Sequence, residues 1–268
     1  MNAAATVHAR DVDLRWDRAG SGPTLVWGHG LTSSRVLEDE SALVAWVDVR
    51  RRLDVVRYDA RGHGESGFST DLTSYGWADL ALDQVALADT VGADRFVSGG
   101  ASMGAATALH VACAVPARVR GLVLMIPPTA WETREAQVDL YETMASIIES
   151  RGVEPLIAAG AQTPQPDPFV DDEERRARRD AAMRAADPAR LAGVLRGAGQ
   201  ADFPPRDRVA AIDVPTLVLA WTGDPGHPVS TAEELDTLIA DTTCHIASTA
   251  DAVGAWGGII ADFVAAIP

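Results

Sequence analysis

Short apolar runs alternate with amphipathic segments along most of this chain, and the alternation limits the folds it can adopt. The runs PTLVWGHG (23–30), LDVVRYDARG (53–62) and VPTLVLAW (214–221) predict strands. WADLALDQVALADTVG (77–92) has apolar residues at helical spacing and ends at a glycine, which is typical of a helix. Strands that alternate with helices form a mostly parallel sheet covered on both faces. The sequence therefore predicts an α/β fold.

The alternation stops between residues 128 and 211. That stretch contains helical segments such as EAQVDLYETMASIIES and PARLAGVLRGAG, separated by proline-bearing loops. We predict a helical cap over 128–211, inserted into a core formed by 1–127 and 212–268. The run DDEERRARRD (171–180) carries charges of both signs at helical spacing, which is typical of a solvated helix face.

Charge and hydropathy exclude several classes of partner. The net charge of -15 argues against nucleic acid and anionic membrane surfaces as partners. The longest apolar run, GLVLMIPP, is too short to span a bilayer, and the N-terminal residues lack an apolar core of signal-peptide length. The two cysteines, Cys113 and Cys244, are far apart in apolar settings and are expected to be reduced. We expect a cytoplasmic protein.

The chain has no lysine, so every basic residue is arginine. Schiff-base chemistry, pyridoxal phosphate anchoring and the lysine of a P-loop are therefore excluded. The cysteines and histidines show no clustered spacing that predicts a metal site. We expect no metal and no cofactor.

The motif G-x-S-x-G occurs at residues 100–104, between the strand-like RFVSGGAS and the helical MGAATALHVACA. A sharp turn at this junction exposes the serine above the sheet, and small flanking residues let the backbone pass. The backbone N–H of the next residue then points into the site at the start of the helix. The motif predicts Ser102 as a nucleophile and the N–H of Met103 as an oxyanion donor.

Three stretches resemble the α/β-hydrolase fold family, in its cap-bearing branch of enol-lactonase-like and esterase-like enzymes. WGHGLTSS (27–34) is similar to the family's HG turn, RYDARGHGESG (57–67) to its D-x-R-G-x-G-x-S turn, and ASMGAATALHVACAVPARVRGLVLM to the elements after the nucleophile. The resemblance covers nearly the whole chain. It implies that the N–H of Leu31 is the second oxyanion donor and that the cap selects the substrate.

The acid and the base of a triad have unequal candidates. LVLAWTGDPGHP (217–228) resembles the family strand that ends in the triad acid, which implies Asp224 for that role. In the family the base follows the last strand as Gly-His, but this chain has no Gly-His there and no loop long enough to hold one. His245 keeps the chain order Ser, Asp, His and is our predicted base. His227, and the absence of any dedicated base, remain open alternatives.

We predict three residues that line the substrate pocket. They are His29, which shapes the oxyanion loop from the HG turn, His227 in the turn after Asp224, and Trp131, which follows the strand after the nucleophile. Trp131 could stack on a substrate ring or simply pack in the cap. Arg134 could pair with a substrate carboxylate or lie on a solvated helix face.

These residues predict a serine hydrolase that cleaves an ester or lactone of a small organic molecule through an acyl-enzyme. Two alternatives stay open: a lyase or cyclase on the same scaffold, and a ligand-binding protein that has lost the base. The expected partner is a small-molecule substrate, and a homodimer is left open.

Overall fold

An eight-stranded sheet forms the centre of the protein. The computed structural model describes residues 4–268. The strands run in the order β1-β2-β4-β3-β5-β6-β7-β8, with antiparallel pairing from β1 to β2 and from β2 to β4 and parallel pairing for the rest. Their bounds are β1 Ala5–Ala9, β2 Val12–Gly20, β3 Thr24–Gly28, β4 Asp54–Tyr58, β5 Phe96–Ala101, β6 Val119–Met125, β7 Thr216–Trp221 and β8 Thr242–Ala247.

Helices cover the sheet and fill the segment between β6 and β7. They are α1 Arg35–Ser41, α2 Trp46–Val49, α3 Trp77–Thr90, α4 Met103–Ala114, α5 Glu135–Arg151, α6 Glu154–Gly160, α7 Glu173–Ala185, α8 Pro188–Gly199, α9 Arg206–Ala210, α10 Val229–Leu238, α11 Ala250–Gly254 and α12 Trp256–Ala266. The predicted α/β fold is confirmed. The boundaries 128–211 for the cap stay a prediction; α5 to α9 lie within them. Within residues 4–268, every helix is too short or too polar to cross a bilayer.

Both faces of the sheet are buried along its central strands, β3 to β7, which agrees with the continuous apolar runs of those strands. Along β7, Leu217 and Leu219 pack into the core on the side of α2 and α12. Val218 and Ala220, which point the other way, pack with α3, α4 and α10. The parallel strands therefore share one carboxyl edge, where loops can bring distant residues together.

Two connections at that edge differ in length. Between β7 and α10 the chain has the loop 222–228, whereas Ser248 and Thr249 alone separate β8 from α11. Thr249 caps α11, since its hydroxyl accepts a hydrogen bond from the Ala252 N–H. The chain therefore enters a helix immediately after its last strand.

Candidate active site

Ser102 lies at the turn between β5 and α4. Its backbone has φ 51° and ψ −109°, a conformation that non-glycine residues rarely adopt and that a well-packed surrounding must hold in place. The flanking glycines are required by contact: a Cβ on Gly100 would lie 2.5 Å from the Gly28 carbonyl oxygen, and one on Gly104 would overlap the same oxygen. The strand–turn–helix geometry that the motif predicted is present.

His227 reaches Ser102 directly. The His227 Nε2 and the Ser102 Oγ are 2.8 Å apart, and the His227 Nδ1 is 2.8 Å from the Asp224 Oδ2. Because a carboxylate accepts the Nδ1 proton, Nε2 is the unprotonated nitrogen and accepts from the serine hydroxyl. Ser102, His227 and Asp224 therefore form a continuous hydrogen-bonded relay.

The loop 222–228 builds the acid–base pair from neighbouring residues. Asp224, Pro225, Gly226 and His227 form a turn in which the His227 N–H donates to the Asp224 carbonyl. The Gly226 N–H donates to the Asp224 Oδ1 at 2.9 Å, as in an Asx turn. A spacing of three residues thus places both side chains on the same side of the loop.

Trp221, the last residue of β7, holds the carboxylate from below. Its indole N–H donates to the Asp224 Oδ2 at 2.9 Å, the same oxygen that His227 uses. Burial by itself would raise the pKa of Asp224. The His227 hydrogen bond and charge, with the Trp221 and Gly226 hydrogen bonds, outweigh burial and lower that pKa to about 2. Asp224 is therefore ionised at neutral pH.

The prediction of His245 as the base is wrong. His245 lies on β8, the edge strand, opposite Leu219 of β7, and its side chain is exposed. Because only two residues separate β8 from α11, no loop carries a histidine from this strand toward Ser102. His227, predicted mainly as a pocket residue, is the histidine whose side chain contacts Ser102.

The oxyanion loop lies against the nucleophile. A Cβ on Gly30 would sit 3.6 Å from the Ser102 Cβ, so the backbone that leads into Leu31 passes beside the serine. Met103 is the first residue of α4, whose N–H has no partner within the helix. Among residues 4–268, neither the Leu31 N–H nor the Met103 N–H is used in a hydrogen bond. Both predicted donors are therefore free to donate a hydrogen bond to a ligand oxygen.

His29 supports this loop and does not face a substrate. It is 1% exposed, its Nδ1–H donates to the Gly30 carbonyl at 2.7 Å, and its Nε2 accepts from the Ala60 N–H at 2.9 Å. Burial lowers the pKa of His29, which agrees with a neutral ring. The prediction of His29 as a substrate-binding residue is wrong because both ring nitrogens are already engaged.

Trp131 and Arg134 pack between cap and core. The Trp131 indole donates to the Pro204 carbonyl and meets the Phe203 ring edge-on, while the Arg206 guanidinium covers one face. The prediction that Trp131 is a substrate-stacking residue is therefore corrected: its ring is used in packing. Arg134 is buried, stacks on Trp77 and donates to the carbonyls of residues 198 and 201. It is neither solvated nor free for a carboxylate.

Trp221 is a residue of the site that the sequence motifs did not predict. The signal was available: an indole at the end of a strand, three residues before an aspartate, lies within reach of that aspartate's side chain. The sequence pattern also gave no separate indication for Arg175. This cap residue stacks on Phe169 and Trp221, with its Cζ 4.2 Å and 5.4 Å from the two ring centroids.

The site as described is built from side chains and backbone donors. Within residues 4–268, no group of three or more histidine, cysteine, aspartate or glutamate side chains is arranged to hold a metal ion. A hydroxyl, an imidazole, a carboxylate and two free N–H groups are the parts needed for acyl transfer.

Comparison with known proteins agrees with this fold. A family model described as the alpha/beta hydrolase fold matches residues 23–256. The 3-oxoadipate enol-lactonase 1 of Acinetobacter baylyi is 27% identical over 180 residues, or 67% of this chain. The match spans 64% of that enol-lactonase, slightly less than two thirds of its length. The names of the family and of this relative support a hydrolase.

Two crystal structures share the fold. A hydrolase from Pseudomonas aeruginosa PA01 has a TM-score of 0.83 at 24% identity, with 99% of each chain covered. The enol-lactonase from Burkholderia xenovorans LB400 has a TM-score of 0.81 at 21% identity, with 97% of this chain and 99% of that chain covered. The predicted resemblance is confirmed, and this chain belongs to the α/β-hydrolase fold family.

Proposed function

We propose that this protein is a cofactor-independent serine hydrolase that cleaves a carboxylic ester or lactone of a small organic molecule. Ser102 is the nucleophile, His227 the general base and Asp224 the residue that orients the imidazole. The observation that carries the proposal is the 2.8 Å approach of the His227 Nε2 to the Ser102 Oγ, since a serine without an oriented base is a poor nucleophile at neutral pH.

The reaction begins when His227 accepts the Ser102 proton as the Oγ attacks the carbonyl carbon. The negative charge that develops on the carbonyl oxygen is stabilised by the N–H groups of Leu31 and Met103. The imidazolium, held by Asp224, returns the proton to the leaving alkoxide and an acyl-enzyme forms. A water molecule then attacks the acyl carbon as His227 takes one of its protons, the bond to the Ser102 Oγ breaks, His227 returns the proton to that oxygen, and the carboxylic acid product leaves.

The low pKa of Asp224 supports its role in this cycle. The carboxylate stays ionised while the imidazole carries a proton, so it stabilises the imidazolium by charge and fixes the tautomer by hydrogen bonding. Three donors hold it, from Trp221, Gly226 and His227. The arrangement is prepared before the substrate arrives, which favours catalysis over simple binding.

A fluorophosphonate probe and p-nitrophenyl esters test the proposal. We expect the wild type to be labelled and to release p-nitrophenolate, and Ser102→Ala to do neither. His227→Ala should label far more slowly, while His245→Ala, an exposed histidine on the edge strand, is the matched control and should label normally. An unreactive wild type would instead favour the lyase, cyclase or binding alternatives.

A further inference from the structure

One phenylalanine of the cap is buried in the core of the sheet. The buried core on the side of α2 and α12 includes Trp221 and Trp256, and among residues 4–268 Phe169 is its only member from the segment 128–211. Phe169 is 9% exposed and Trp221 is 2% exposed. The Phe169 contact therefore joins the cap to the end of β7, next to the loop that completes the relay.

The sequence before Phe169 restricts the backbone that carries it. TPQPDPF (163–169) has prolines at alternate positions, and each proline fixes φ and leaves fewer conformations to the chain. A short 3-10 turn ends this stretch, and in it the Asp167 N–H donates to the Thr222 carbonyl at 3.0 Å. A side chain on Gly223 would collide with Asp167. This part of the cap therefore lies directly against the start of the loop after β7.

Four side chains pack around the Trp221 ring. Trp256 stacks on it, with ring centroids 5.8 Å apart and planes inclined by 14°. Phe169 and His227 are nearly perpendicular to it, at 84° and 87°, with centroids 5.3 Å and 6.3 Å away. The Arg175 guanidinium lies over both the Trp221 and the Phe169 rings. Two of these four side chains belong to the cap.

Arg175 does not lie on a solvated helix face, contrary to the prediction for 171–180. Its guanidinium is stacked on Phe169 and Trp221, and burial lowers its pKa. Arg178, in the same charged run, is exposed as predicted. Arg175 therefore adds a second contact between the cap and the aromatic residues at the end of β7.

The direction of the Trp221 N–H depends on these contacts. An indole N–H lies in the plane of the ring, so the groups that fix the ring also fix the direction of its donor. The Trp221 N–H donates to the Asp224 Oδ2, the oxygen that also holds the His227 Nδ1. Hydrogen bonds weaken steeply when the donor turns away from the acceptor. A displaced indole would therefore leave the carboxylate less firmly held.

We propose that Phe169 is a positioning residue, whose ring holds the Trp221 indole with its N–H directed at the Asp224 carboxylate. Asp224 in turn orients His227 toward Ser102. The cap thereby affects the chemical step through the protein as well as through any contact with the substrate. This inference rests on the proposed function, because the aligned relay is the one that carries out the hydrolysis.

A double-mutant cycle tests the proposal on a p-nitrophenyl ester. We expect Phe169→Leu to lower kcat about 3- to 10-fold with KM nearly unchanged, the size expected when one hydrogen bond is weakened. In Trp221→Phe the ring remains but its N–H is gone, so adding Phe169→Leu should lower kcat by less than about 2-fold further. An equal fold loss in both backgrounds, or no loss in the wild-type background, would overturn the proposal.

Phe203→Leu is the matched control. Phe203 is also a buried phenylalanine of the segment 128–211, but its ring lies against Trp77 and Trp131, at centroid distances of 5.8 Å and 5.4 Å. The same substitution there should leave kcat unchanged. A loss of kcat as large as that of Phe169→Leu would show a general effect of loosening the cap, which contradicts a specific action through Trp221.

An NMR titration of Asp224 separates this inference from the proposed function, because it needs no substrate. We expect Phe169→Leu to raise the pKa of Asp224 toward its ordinary value and Phe203→Leu to leave that pKa unchanged. If the wild type hydrolyses no ester but Phe169→Leu raises the pKa, the hydrolase proposal fails and the positioning of Asp224 by the cap stands. If esters are hydrolysed and Phe169→Leu changes neither kcat nor the pKa, the hydrolase stands and the positioning role is overturned.

A second variant guards against a folding defect in Phe169→Leu. Thermal unfolding followed by circular dichroism shows which variants are folded. Phe169→Met removes the ring but fills the space with a longer and more adaptable side chain, and it replaces Phe169→Leu in the cycle where the leucine variant unfolds. A folded Phe169→Met with wild-type kcat and wild-type Asp224 pKa would overturn the proposal, whereas a loss of kcat that disappears in the Trp221→Phe background supports it.

Discussion

The loop after β7 and the connection after β8 leave the same edge of the sheet, but only the loop after β7 supplies side chains that are hydrogen-bonded to Ser102. Residues 222–228 carry the acid, the base and the turn that joins them, whereas Ser248 and Thr249 only lead the chain into α11. In the family pattern, the acid comes from the first of these connections and the base comes from the second. Here one loop completes the hydrogen-bonded relay to Ser102, because the loop after β7 carries a histidine to the serine and the two-residue connection after β8 does not.

The largest effect expected from this comparison is that of His227. We expect His227→Ala to lower kcat for an ester by about 10⁴- to 10⁶-fold, because no other described group accepts the Ser102 proton. His245→Ala should leave kcat and KM unchanged, since His245 is exposed on β8. Steady-state kinetics of both variants on the same ester measures kcat and KM and shows which histidine acts with Ser102. A large loss in His245→Ala with an active His227→Ala would reverse our assignment.

Asp224→Asn should have the next largest effect. The amide has no charge with which to stabilise the imidazolium and favours the wrong tautomer of His227, so kcat should fall by about 10³- to 10⁴-fold while KM changes little. Steady-state kinetics on a p-nitrophenyl ester measures both quantities. Wild-type kcat in Asp224→Asn would show that the loop after β7 does not supply the acid.

The same aspartate should also affect stability at low pH. Its pKa is about 2 in the folded protein and 3.8 ordinarily, so the ionised carboxylate contributes about 2 kcal/mol to the free energy of unfolding above pH 4. That contribution is lost as the pH falls from about 4 through 2. Urea unfolding of the wild type and Asp224→Asn should therefore give a difference that shrinks across this range. A difference independent of pH would contradict the assigned pKa.

Two glycines, one after β7 and one after β8, test how well each connection tolerates an added side chain, measured as a change in the free energy of unfolding. Gly223, in the loop after β7, has φ 79°, and a Cβ there would overlap the Asp167 side chain from the cap. Gly223→Ala should lower the free energy of unfolding by about 1–3 kcal/mol. Gly254, in α11 after β8, has open space around it, and Gly254→Ala should be neutral or stabilise by up to about 1 kcal/mol. Equal effects in urea unfolding would show that the two connections are equally tolerant.

The sheet and the nucleophile turn could be predicted because their signals are local. The strand runs are continuous apolar segments, and the glycines at 28, 100 and 104 are needed wherever the three backbones meet. The strand lengths and the G-x-S-x-G motif therefore fix the position of Ser102 without knowledge of distant contacts. The prediction of Asp224 came from the resemblance of 217–228 to the family strand that ends in the triad acid.

The base and the cap contacts could not be predicted in this way. The rule of chain order favoured His245, but the geometry of the turn at Asp224 brings His227 to Ser102. Arg175 belongs to a charged run that locally has the appearance of a solvated face. Its contact with Trp221 joins residues far apart in the chain, and only the packing of the cap on the end of β7 reveals it.

Trp221→Phe should give the smallest kinetic effect and the finest test of how the loop after β7 is held. Phenylalanine keeps an aromatic ring against Trp256 but removes the N–H that donates to the Asp224 Oδ2. We expect kcat to fall about 10-fold with KM nearly unchanged, and the pKa of Asp224, followed by NMR titration, to rise toward its ordinary value. Trp256→Phe is the control: it alters the same ring stack, but Trp256 makes no hydrogen bond to Asp224 among residues 4–268. If both variants shift the Asp224 pKa equally, ring packing holds the carboxylate; if only Trp221→Phe does, the indole N–H positions the acid of the relay.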